Sequence, residues 1–546
     1  MRESNGYLTI NYVNILQQHI FLAEVVWQEG VIIKIKRLGK ENSEYSYLIP
    51  GFIDAHVHIE SSMLTPIEFS RLATLHGTVA SVSDPHEIAN VMGLEGIRYM
   101  LENATLTPFK IFFGAPSCVP ATPFETAGAT LDAVVLESLF KSGEVSYLSE
   151  MMNYPGVLNK DSAVWAKLEL ARNYSCPIDG HAPGLMGEQV KQYAQAGIST
   201  DHECSTLEEA EQKLAVGMQI LIREGSAARN FDALHSLISG HPEQIMFCSD
   251  DKHPDDLLAG HINQLAARSV ALGHDVFKVL RCACINPVVH YDLAVGQLKV
   301  GDAMDAVMLK DLINLTPLKT WINGELVAEQ GKSLITSVIT KSCNQFQARK
   351  VTANDFLIPE NSDQVRVIKA LDGELLTPEW QTTPKVELGY IVPDKERDIL
   401  FLTVINRYQA MPPTVALING FGLQQGALAS TVAHDSHNII AVAADIDSLC
   451  MVVNTIIDQQ GGIAVCHQDK LDILPLPIAG LMSDQSAEVV AVHYAQLDQQ
   501  AKQLGSKLRA PFMTLSFMAL LVIPELKLSD QGLFDGRIFQ FTSLEV

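Results

Sequence analysis

The chain has 546 residues and a formal net charge of −24 at pH 7, so it is long enough for several domains and too acidic to favour binding to nucleic acid or to an anionic membrane surface. It has no run of about 18 apolar residues, which argues against a membrane span, and its amino terminus lacks the apolar stretch of a signal peptide. The nine cysteines are scattered without a Cys-x-x-Cys pair, which favours a reducing cytoplasm over a disulfide framework or a zinc ribbon.

Short strand-like runs dominate both sides of the central part of the chain. Three of them lie within residues 7–49, with no helical periodicity between them. Residues 301–333 contain similar runs around Asn323-Gly324, a pair typical of a two-residue hairpin turn. We therefore expect residues 1–49 and 295–345 to form one small β-domain.

Residues 50–294 alternate short apolar strands with helical segments. Such an eightfold repeat predicts a closed parallel (β/α)8 barrel, with a doubly wound open sheet as the alternative. The eight predicted barrel strands are 48–54, 78–83, 110–115, 145–150, 177–181, 199–203, 218–223 and 245–249.

Residues 346–546 are expected to form an additional C-terminal α/β domain, with strands near 399–405 and 439–444.

Side chains that bind metals stand at the ends of five of these strands. His56 and His58 are spaced i, i+2, so both imidazoles leave the first strand on one side. The carboxyl ends of barrel strands meet at one mouth, so all these side chains are expected to converge there. The other members of this group are Glu150, His181, His202 and Asp250.

Four imidazoles and two carboxylates are suited to two divalent metal ions. Two dications repel strongly, so a shared anionic ligand is needed, and Glu150 has the charge and the position to bridge them. Asp250 would bind one ion and take the proton of the attacking water, with Asp251 as the alternative ligand. Nitrogen and oxygen ligands without cysteine allow manganese, iron or zinc. Each residue also has a structural explanation in a turn, a cap or a surface loop, and the joint pattern favours a metallohydrolase.

Long sequence stretches identify a family that the chain resembles. They include Pro-Gly-Phe-Ile-Asp-Ala-His-Val-His-Ile-Glu-Ser-Ser-Met (50–63), Ser-Asp-Pro-His-Glu-Ile-Ala-Asn-Val (83–91), Asp-Gly-His-Ala-Pro-Gly (179–184) and Ala-His-Asp-Ser-His-Asn (433–438). On these stretches the chain closely resembles the bacterial adenine deaminases of the amidohydrolase superfamily, over nearly its whole length.

The resemblance implies a TIM-like metallo-dependent hydrolase barrel with a small β-domain and a C-terminal domain special to the family. It also implies hydrolysis of adenine to hypoxanthine and ammonia in purine salvage, by a hydroxide held between two divalent ions, with manganese or iron favoured and zinc allowed. Carried over, His56, His58 and Asp250 would hold one metal ion. His181 and His202 would hold the other, and Glu150 would bridge them where many relatives have a carboxylated lysine.

Further polar residues follow the second, seventh and eighth strands. We expect Asp251 and His253 to act beside Asp250 and Glu150 in catalysis. Contacts to the purine, or support of the ligands, are expected from Asp84, His86, Glu87, Glu224 and Ser226. The segment His434-Asp435-Ser436-His437 is too compact for a serine triad, whose members come from separate elements, and is expected to be structural or to line the mouth.

Three alternatives remain open at this point. The chain could act on a cyclic amide or on a different aminopurine, or it could be an inactive relative that serves as a binding scaffold. Zinc deaminases of nucleic acids are excluded, because the His-x-Glu sequences at 58–60 and 241–243 have no accompanying Pro-Cys-x-x-Cys. We expect adenine as the small-molecule substrate, no nucleic-acid or membrane partner, and a homo-oligomer in the cytoplasm.

Overall fold

The computed structural model describes residues 4–468 and 470–546. The chain opens with four strands of one sheet, in which the first pairs antiparallel with the second and parallel with the fourth, and the second pairs antiparallel with the third. These strands are β1 (Gly6–Asn14), β2 (His19–Gln28), β3 (Val31–Arg37) and β4 (Tyr47–Pro50).

The next eight strands form a closed parallel barrel. The amide of Ser199 donates to the Ile178 carbonyl (2.9 Å) and joins the fifth and sixth of them, and the amide of Asp250 donates to the His56 carbonyl (3.0 Å) and joins the last to the first. The barrel prediction is therefore confirmed and the open-sheet alternative is wrong. The strands are β5 (Phe52–Val57), β6 (Thr78–Ser83), β7 (Lys110–Ala115), β8 (Tyr147–Met151), β9 (Ile178–Gly180), β10 (Thr200–Asp201), β11 (Gln219–Arg223) and β12 (Ile245–Cys248).

The predicted single strand over 48–54 is wrong in one respect, because Gly51 divides it into β4 of the first sheet and β5 of the barrel. A Cβ atom at Gly51 would lie 2.3 Å from the Val79 side chain. The two sheets thus approach each other too closely for any larger residue at this crossing. Strand β5 continues past residue 54 to Val57 and so carries His56 into the mouth of the barrel.

Helices connect the barrel strands on the outside. Aspartate and threonine side chains cap the amino ends of several, as Asp132 does by accepting from the Val135 amide. The helices are α1 (Pro66–Ala73), α2 (His86–Ala104), α3 (Ala133–Ser142), α4 (Tyr154–Leu158), α5 (Ser162–Asn173), α6 (Glu188–Gln195), α7 (Leu207–Ala215), α8 (Phe231–Leu234), α9 (Leu237–Gly240), α10 (Pro254–Ala259), α11 (Ile262–Ala271), α12 (Val276–Leu280) and α13 (Asn286–Tyr291), with short 3-10 turns at Ile59–Ser62 and Thr74–His76 and a π-helical turn at Arg281–Ile285.

After the barrel the chain returns to the first sheet and completes eight strands. Asn323 and Gly324 have φ of 49° and 74°, as a tight hairpin turn requires, so the hairpin prediction is confirmed. The returning strands are β13 (Ala306–Leu309), β14 (Pro317–Ile322), β15 (Glu325–Glu329) and β16 (Lys332–Ser333), and the sheet order is β16-β15-β14-β13-β4-β1-β2-β3.

The C-terminal region is built on a second eight-stranded sheet. Its strands lie in the order β19 (Glu379–Thr382), β18 (Val365–Lys369), β23 (Thr414–Asn419), β22 (Leu400–Ile405), β25 (Ile439–Ala443), β24 (Ala427–Ser430), β26 (Gly462–His467) and β27 (Lys470–Pro475). Predicted strands 399–405 and 439–444 correspond to β22 and β25. The elements are β17 (Ile358–Pro359), β18 (Val365–Lys369), β19 (Glu379–Thr382), β20 (Lys385–Glu387), β21 (Tyr390–Val392), β22 (Leu400–Ile405), β23 (Thr414–Asn419), β24 (Ala427–Ser430), β25 (Ile439–Ala443), α14 (Ile446–Gln459), β26 (Gly462–His467), β27 (Lys470–Pro475), α15 (Ala487–Gln503), α16 (Pro511–Phe517), β28 (Leu526–Ser529), β29 (Gly532–Asp535) and β30 (Gln540–Phe541), with a 3-10 turn at Ala353–Phe356.

The C-terminal region packs directly on the barrel. Buried side chains of both, such as Met63 and Phe512, belong to one continuous apolar core. The Ser483 amide donates to the Met63 carbonyl (2.9 Å), and Arg71 binds Glu488 through two nitrogens at 2.8 and 3.0 Å. This packing brings parts of the C-terminal region over the barrel mouth. None of the helices in the described ranges is both long and apolar enough to cross a membrane.

Candidate metal centre

The six predicted ligands lie together at the carboxyl ends of the barrel strands. Each has no more than 7% of its surface exposed. Burial of so many ionisable groups is costly unless they are paired or bind a metal. The six residues are His56, His58, Glu150, His181, His202 and Asp250.

Glu150 lies between two pairs of imidazoles. Its Oε1 atom is 3.2 Å from Nε2 of His58 and 4.0 Å from Nε2 of His56. Its Oε2 atom is 2.7 Å from Nδ1 of His181 and 3.2 Å from Nε2 of His202. Each carboxylate oxygen therefore faces one histidine pair.

Asp250 closes the group formed by the first strand. Its Oδ1 atom is 3.5 Å from Nε2 of His56 and 3.3 Å from Nε2 of His58, and these two nitrogens are 3.2 Å apart. Its backbone has a φ of 52°, a left-handed conformation that aspartate tolerates better than most residues. The amide of the same residue makes the hydrogen bond that closes the barrel. This bond fixes the backbone from which the Asp250 carboxylate extends.

Both carboxylates are held in the ionised form. Burial opposes the charge on Glu150, but His181, His202 and His58 more than compensate and hold its pKa well below the usual range. Burial likewise opposes the charge on Asp250, and Arg223 with His56 and His58 lowers its pKa well below normal. Two anionic ligands are thus available for a cation.

The residues fit a divalent metal site. Ligand atoms of His56, His58 and Asp250 lie within 4.8 Å of one another, and so do those of His56, Glu150 and His202. In addition, Nδ1 of His56 and Nε2 of His181 are buried without a hydrogen-bond partner among the described residues. Imidazoles and carboxylates crowded in this way are groups with which proteins bind divalent metal ions.

Sequence reasoning missed Arg223 and Glu203. Arg223, the last residue of β11, donates through Nη1 to Oδ2 of Asp250 (2.7 Å) and through Nη2 to Oε2 of Glu203 (2.8 Å). Glu203 in turn lies 3.5 Å from Nδ1 of His181 and 3.4 Å from Nε2 of His202. A basic residue at the end of a barrel strand was the available signal for Arg223, and adjacency to His202 was the signal for Glu203.

The group after the second strand also reaches the site. Nδ1 of His86 is 3.0 Å from Oδ2 of Asp84 and 3.6 Å from Oε1 of Glu150. The ring centroids of His86 and His58 are 4.6 Å apart. Glu87 lines the same cavity but is bound by two histidines of the C-terminal region.

The residues predicted after the seventh and eighth strands separate into two groups. Asp251 lines the metal cavity and accepts a hydrogen bond from Oγ of Ser61 (2.6 Å). His253 and Ser226 line a neighbouring cavity, where Oγ of Ser226 donates to Asp256 (2.6 Å) and His253 contacts the Tyr494 hydroxyl. Glu224 is bound by Arg268 (3.1 Å). The structure therefore brings Asp251 into the site, but not His253, Ser226 or Glu224.

The C-terminal region forms the opposite side of the cavity. His434 and Asp435 line it, so the expectation of a mouth-lining position is confirmed for these two members of the 434–437 segment. Apolar side chains of Leu375, Phe517 and Leu520 complete this wall. The cavity thus has an ionic floor in the barrel and a largely apolar roof.

A closed barrel with buried histidines and carboxylates at its mouth defines a metal-dependent hydrolase, and residues 47–327 match the amidohydrolase family. Residues 374–540 match the adenine deaminase C-terminal domain. Proteins called adenine deaminase are similar over nearly the full length. The one from Sulfurovum sp. is 52% identical over 97% of this chain and 98% of its own, the one from Salinibacter ruber 52% over 95% of each, and the one from Methanosarcina barkeri 49% over 97% and 98%. The chain belongs to the adenine deaminase family.

Proposed function

We propose that this protein hydrolyses adenine to hypoxanthine and ammonia in a cavity that holds two divalent metal ions. The observation that carries this proposal is the position of Glu150, whose two oxygens face separate histidine pairs. Oε1 lies 3.2 Å from Nε2 of His58 and 4.0 Å from Nε2 of His56, and Oε2 lies 2.7 Å from Nδ1 of His181 and 3.2 Å from Nε2 of His202. Such a carboxylate is suited to bridging two cations. The substrate is inferred from the relatives named adenine deaminase, which are similar to this chain over almost their whole length.

In this proposal His56, His58 and Asp250 hold one ion, and His181 and His202 hold the other. Manganese or iron is favoured, and zinc is compatible with the same ligands. When bound, the ions would lower the pKa of water and so supply a nucleophile near neutral pH.

The protein's own residues would then manage the protons. Replacement of the amino group by oxygen at the ring carbon breaks one C–N bond, forms one C–O bond and requires a proton on the departing amine. Asp250 is placed to accept one proton of the attacking water on Oδ1, because its Oδ2 is occupied by Arg223 at 2.7 Å. Asp250 would then pass this proton to the departing amine, which leaves as ammonia, while the second water proton stays in hypoxanthine. The apolar side chains of the roof would exclude bulk water from the reacting atoms.

The test follows ammonia release from adenine and adenosine, and ring opening of a cyclic amide such as dihydroorotate, by metal-loaded protein. We expect release from adenine alone, and loss of it in D250N and H181A variants that unfold at the same temperature as the wild type. Ring opening of the cyclic amide, or undiminished release of ammonia from adenine in either variant, would contradict the proposal.

Two broader proposals accompany this function. The first is that residues 1–49 with 295–345, residues 50–294 and residues 346–546 form three domains, supported by the sheet that both outer stretches share. The second is that the enzyme acts in the cytoplasm as a homo-oligomer, as metabolic barrels of this size commonly do. Limited proteolysis would test the first, and light scattering on purified protein the oligomeric state.

A further inference from the structure

A second buried cluster joins the barrel to the C-terminal region. Glu87, at the start of α2, has one histidine on each carboxylate oxygen, with Nδ1 of His434 on Oε1 and Nε2 of His437 on Oε2. All three side chains are at most 2% exposed. The proposed deamination chemistry does not use this cluster.

The hydrogen bonds determine which nitrogens carry protons. The Ala433 amide donates to Nδ1 of His437 (3.2 Å), so the proton of that ring is on Nε2 and is donated to Glu87. His434 donates to Glu87 through Nδ1. Its other nitrogen, Nε2, is buried without a hydrogen-bond partner among the described residues, and the nearest acidic atom, Oδ1 of Asp251, is 3.8 Å away.

The ring of His434 is fixed as well as unsatisfied. The Phe517 ring packs against it with centroids 5.2 Å apart. The backbone of the same turn is held by Arg407, which donates to the His437 carbonyl (3.2 Å), and by the Tyr408 hydroxyl, which donates to the Ser436 carbonyl (2.5 Å). A buried imidazole held this firmly with one free nitrogen at a cavity is preorganised for a ligand.

We propose that His434 binds the substrate base through a hydrogen bond between its Nε2 atom and a ring nitrogen, and that Glu87 is the residue that positions it. His434 lines the same cavity as the metal ligands and belongs to the opposite wall, beside Phe517 and Leu520. A planar base between the two walls would present its ring nitrogens at this edge. Burial opposes protonation of His434, but Glu87 and Asp251 raise its pKa to about 9, which makes Nε2 a donor to such an acceptor. The inference rests on the proposed function.

The experiment compares wild type, H434Q, E87Q and H493Q, all manganese-loaded. His493 is the matched control, because it is a C-terminal histidine paired with a carboxylate (Asp472, 2.8 Å) that does not line the cavity. The affinities of adenine and of its 1-deaza, 3-deaza, 7-deaza and 9-deaza analogues are measured by competition. Each analogue replaces one ring nitrogen with CH.

We expect H434Q to weaken adenine binding roughly 10-fold to 100-fold, as for loss of a charged hydrogen bond. One deaza analogue should bind wild type and H434Q equally, which identifies the ring nitrogen that His434 contacts. The affinity of E87Q for adenine should fall between those of wild type and H434Q, because the glutamine amide still accepts a hydrogen bond from one histidine. The affinity of H493Q should equal that of wild type.

Two results would overturn the inference. One is an H434Q affinity equal to that of wild type, and the other is an equal loss for all five bases, which indicates a change of cavity shape. Metal content and unfolding temperature, measured on each variant, identify a misfolded H434Q, in which case H434N takes its place. Absence of ammonia release by the wild type would contradict the proposed function together with this inference, whereas wild-type turnover with unchanged H434Q affinity would contradict the role of His434 alone.

Discussion

Arg223 shows how single residues balance the charge of the site. Its guanidinium is buried and binds Glu203 and Asp250, the two carboxylates that flank the histidine pairs. Burial opposes the charge, yet the two carboxylates raise the pKa of Arg223 further above its ordinary value. Without this cation, Asp250 would be a buried anion with only histidines and bound metal to compensate it.

Replacement of Arg223 by methionine should therefore destabilise the metal-free protein by about 3–5 kcal/mol, because it leaves two buried carboxylates uncompensated. Urea unfolding in the presence of a chelator measures this change. The control is R268M, since Arg268 is partly exposed and its ion pairs with Glu224 and Asp232 should contribute at most about 1 kcal/mol. Equal losses in the two variants would contradict the assigned role.

Glu150 gives a second prediction at this scale. E150Q keeps the size of the side chain but removes the charge that faces both histidine pairs. We expect it to retain fewer metal ions and to lose about 10²-fold or more in turnover, since metal-assisted chemistry contributes several kcal/mol. The control is E137Q on the exposed surface of α3, where Glu137 forms an ion pair with Lys141. Full metal content and activity in E150Q would show that Glu150 is not the bridge.

At the scale of elements, Gly51 decides where one sheet ends and the barrel begins. G51A should lower the free energy of unfolding by about 1–3 kcal/mol, because its Cβ would overlap the Val79 side chain on β6. G39A is the matched control, since a Cβ there meets no atom within 4 Å. Chemical denaturation would compare the two variants, and a G51A protein as stable as G39A would mean that the sheets can separate at this crossing without cost.

Strand β28 contains a buried lysine that should make stability depend on pH. Nζ of Lys527 donates to the carbonyls of Leu375 (2.7 Å) and Phe517 (3.1 Å), two residues of the cavity roof. Burial lowers its pKa to about 7. Between about pH 7 and pH 10 the unfolded chain therefore binds a proton that the folded protein lacks, so stability should rise with pH in this range.

Replacement of Lys527 by methionine should flatten this rise, which for the wild type is on the order of a few kcal/mol. Unfolding in guanidinium chloride at several pH values between 7 and 10 measures it. The control K507M removes an exposed lysine and should leave the slope of the wild type unchanged. Parallel profiles for K527M and wild type would contradict the prediction.

Local patterns in the sequence were enough to locate most barrel strands and the six histidine and carboxylate residues that the structure brings together at the mouth. Apolar runs of strand length alternate with helical segments, and a polar residue directly after such a run must lie at the mouth. The bond between Glu87 and His434 was out of reach, because the two residues are 347 positions apart and only tertiary packing brings them together. The positions of His253 and Ser226 also depend on tertiary packing, because their loops turn towards α15 and away from the cavity.

For the whole molecule, the continuous core between the barrel and the C-terminal region has a testable consequence. Buried residues such as Ile53, Val82, Leu402 and Met513 belong to one apolar cluster, so separation of the two parts would expose a large apolar surface. We expect a single calorimetric transition for the full chain and aggregation of a fragment ending at residue 345. Two separate transitions, or a soluble folded fragment, would contradict this expectation.

The most direct test of the whole account is a titration of metal-free protein with Mn²⁺, in which bound metal and ammonia release from adenine are measured on the same samples. The convergence of four histidines with Glu150 and Asp250 predicts that activity rises with metal and levels off at two ions per chain. Full activity with one bound ion per chain, or no activity at any metal content, would contradict this account.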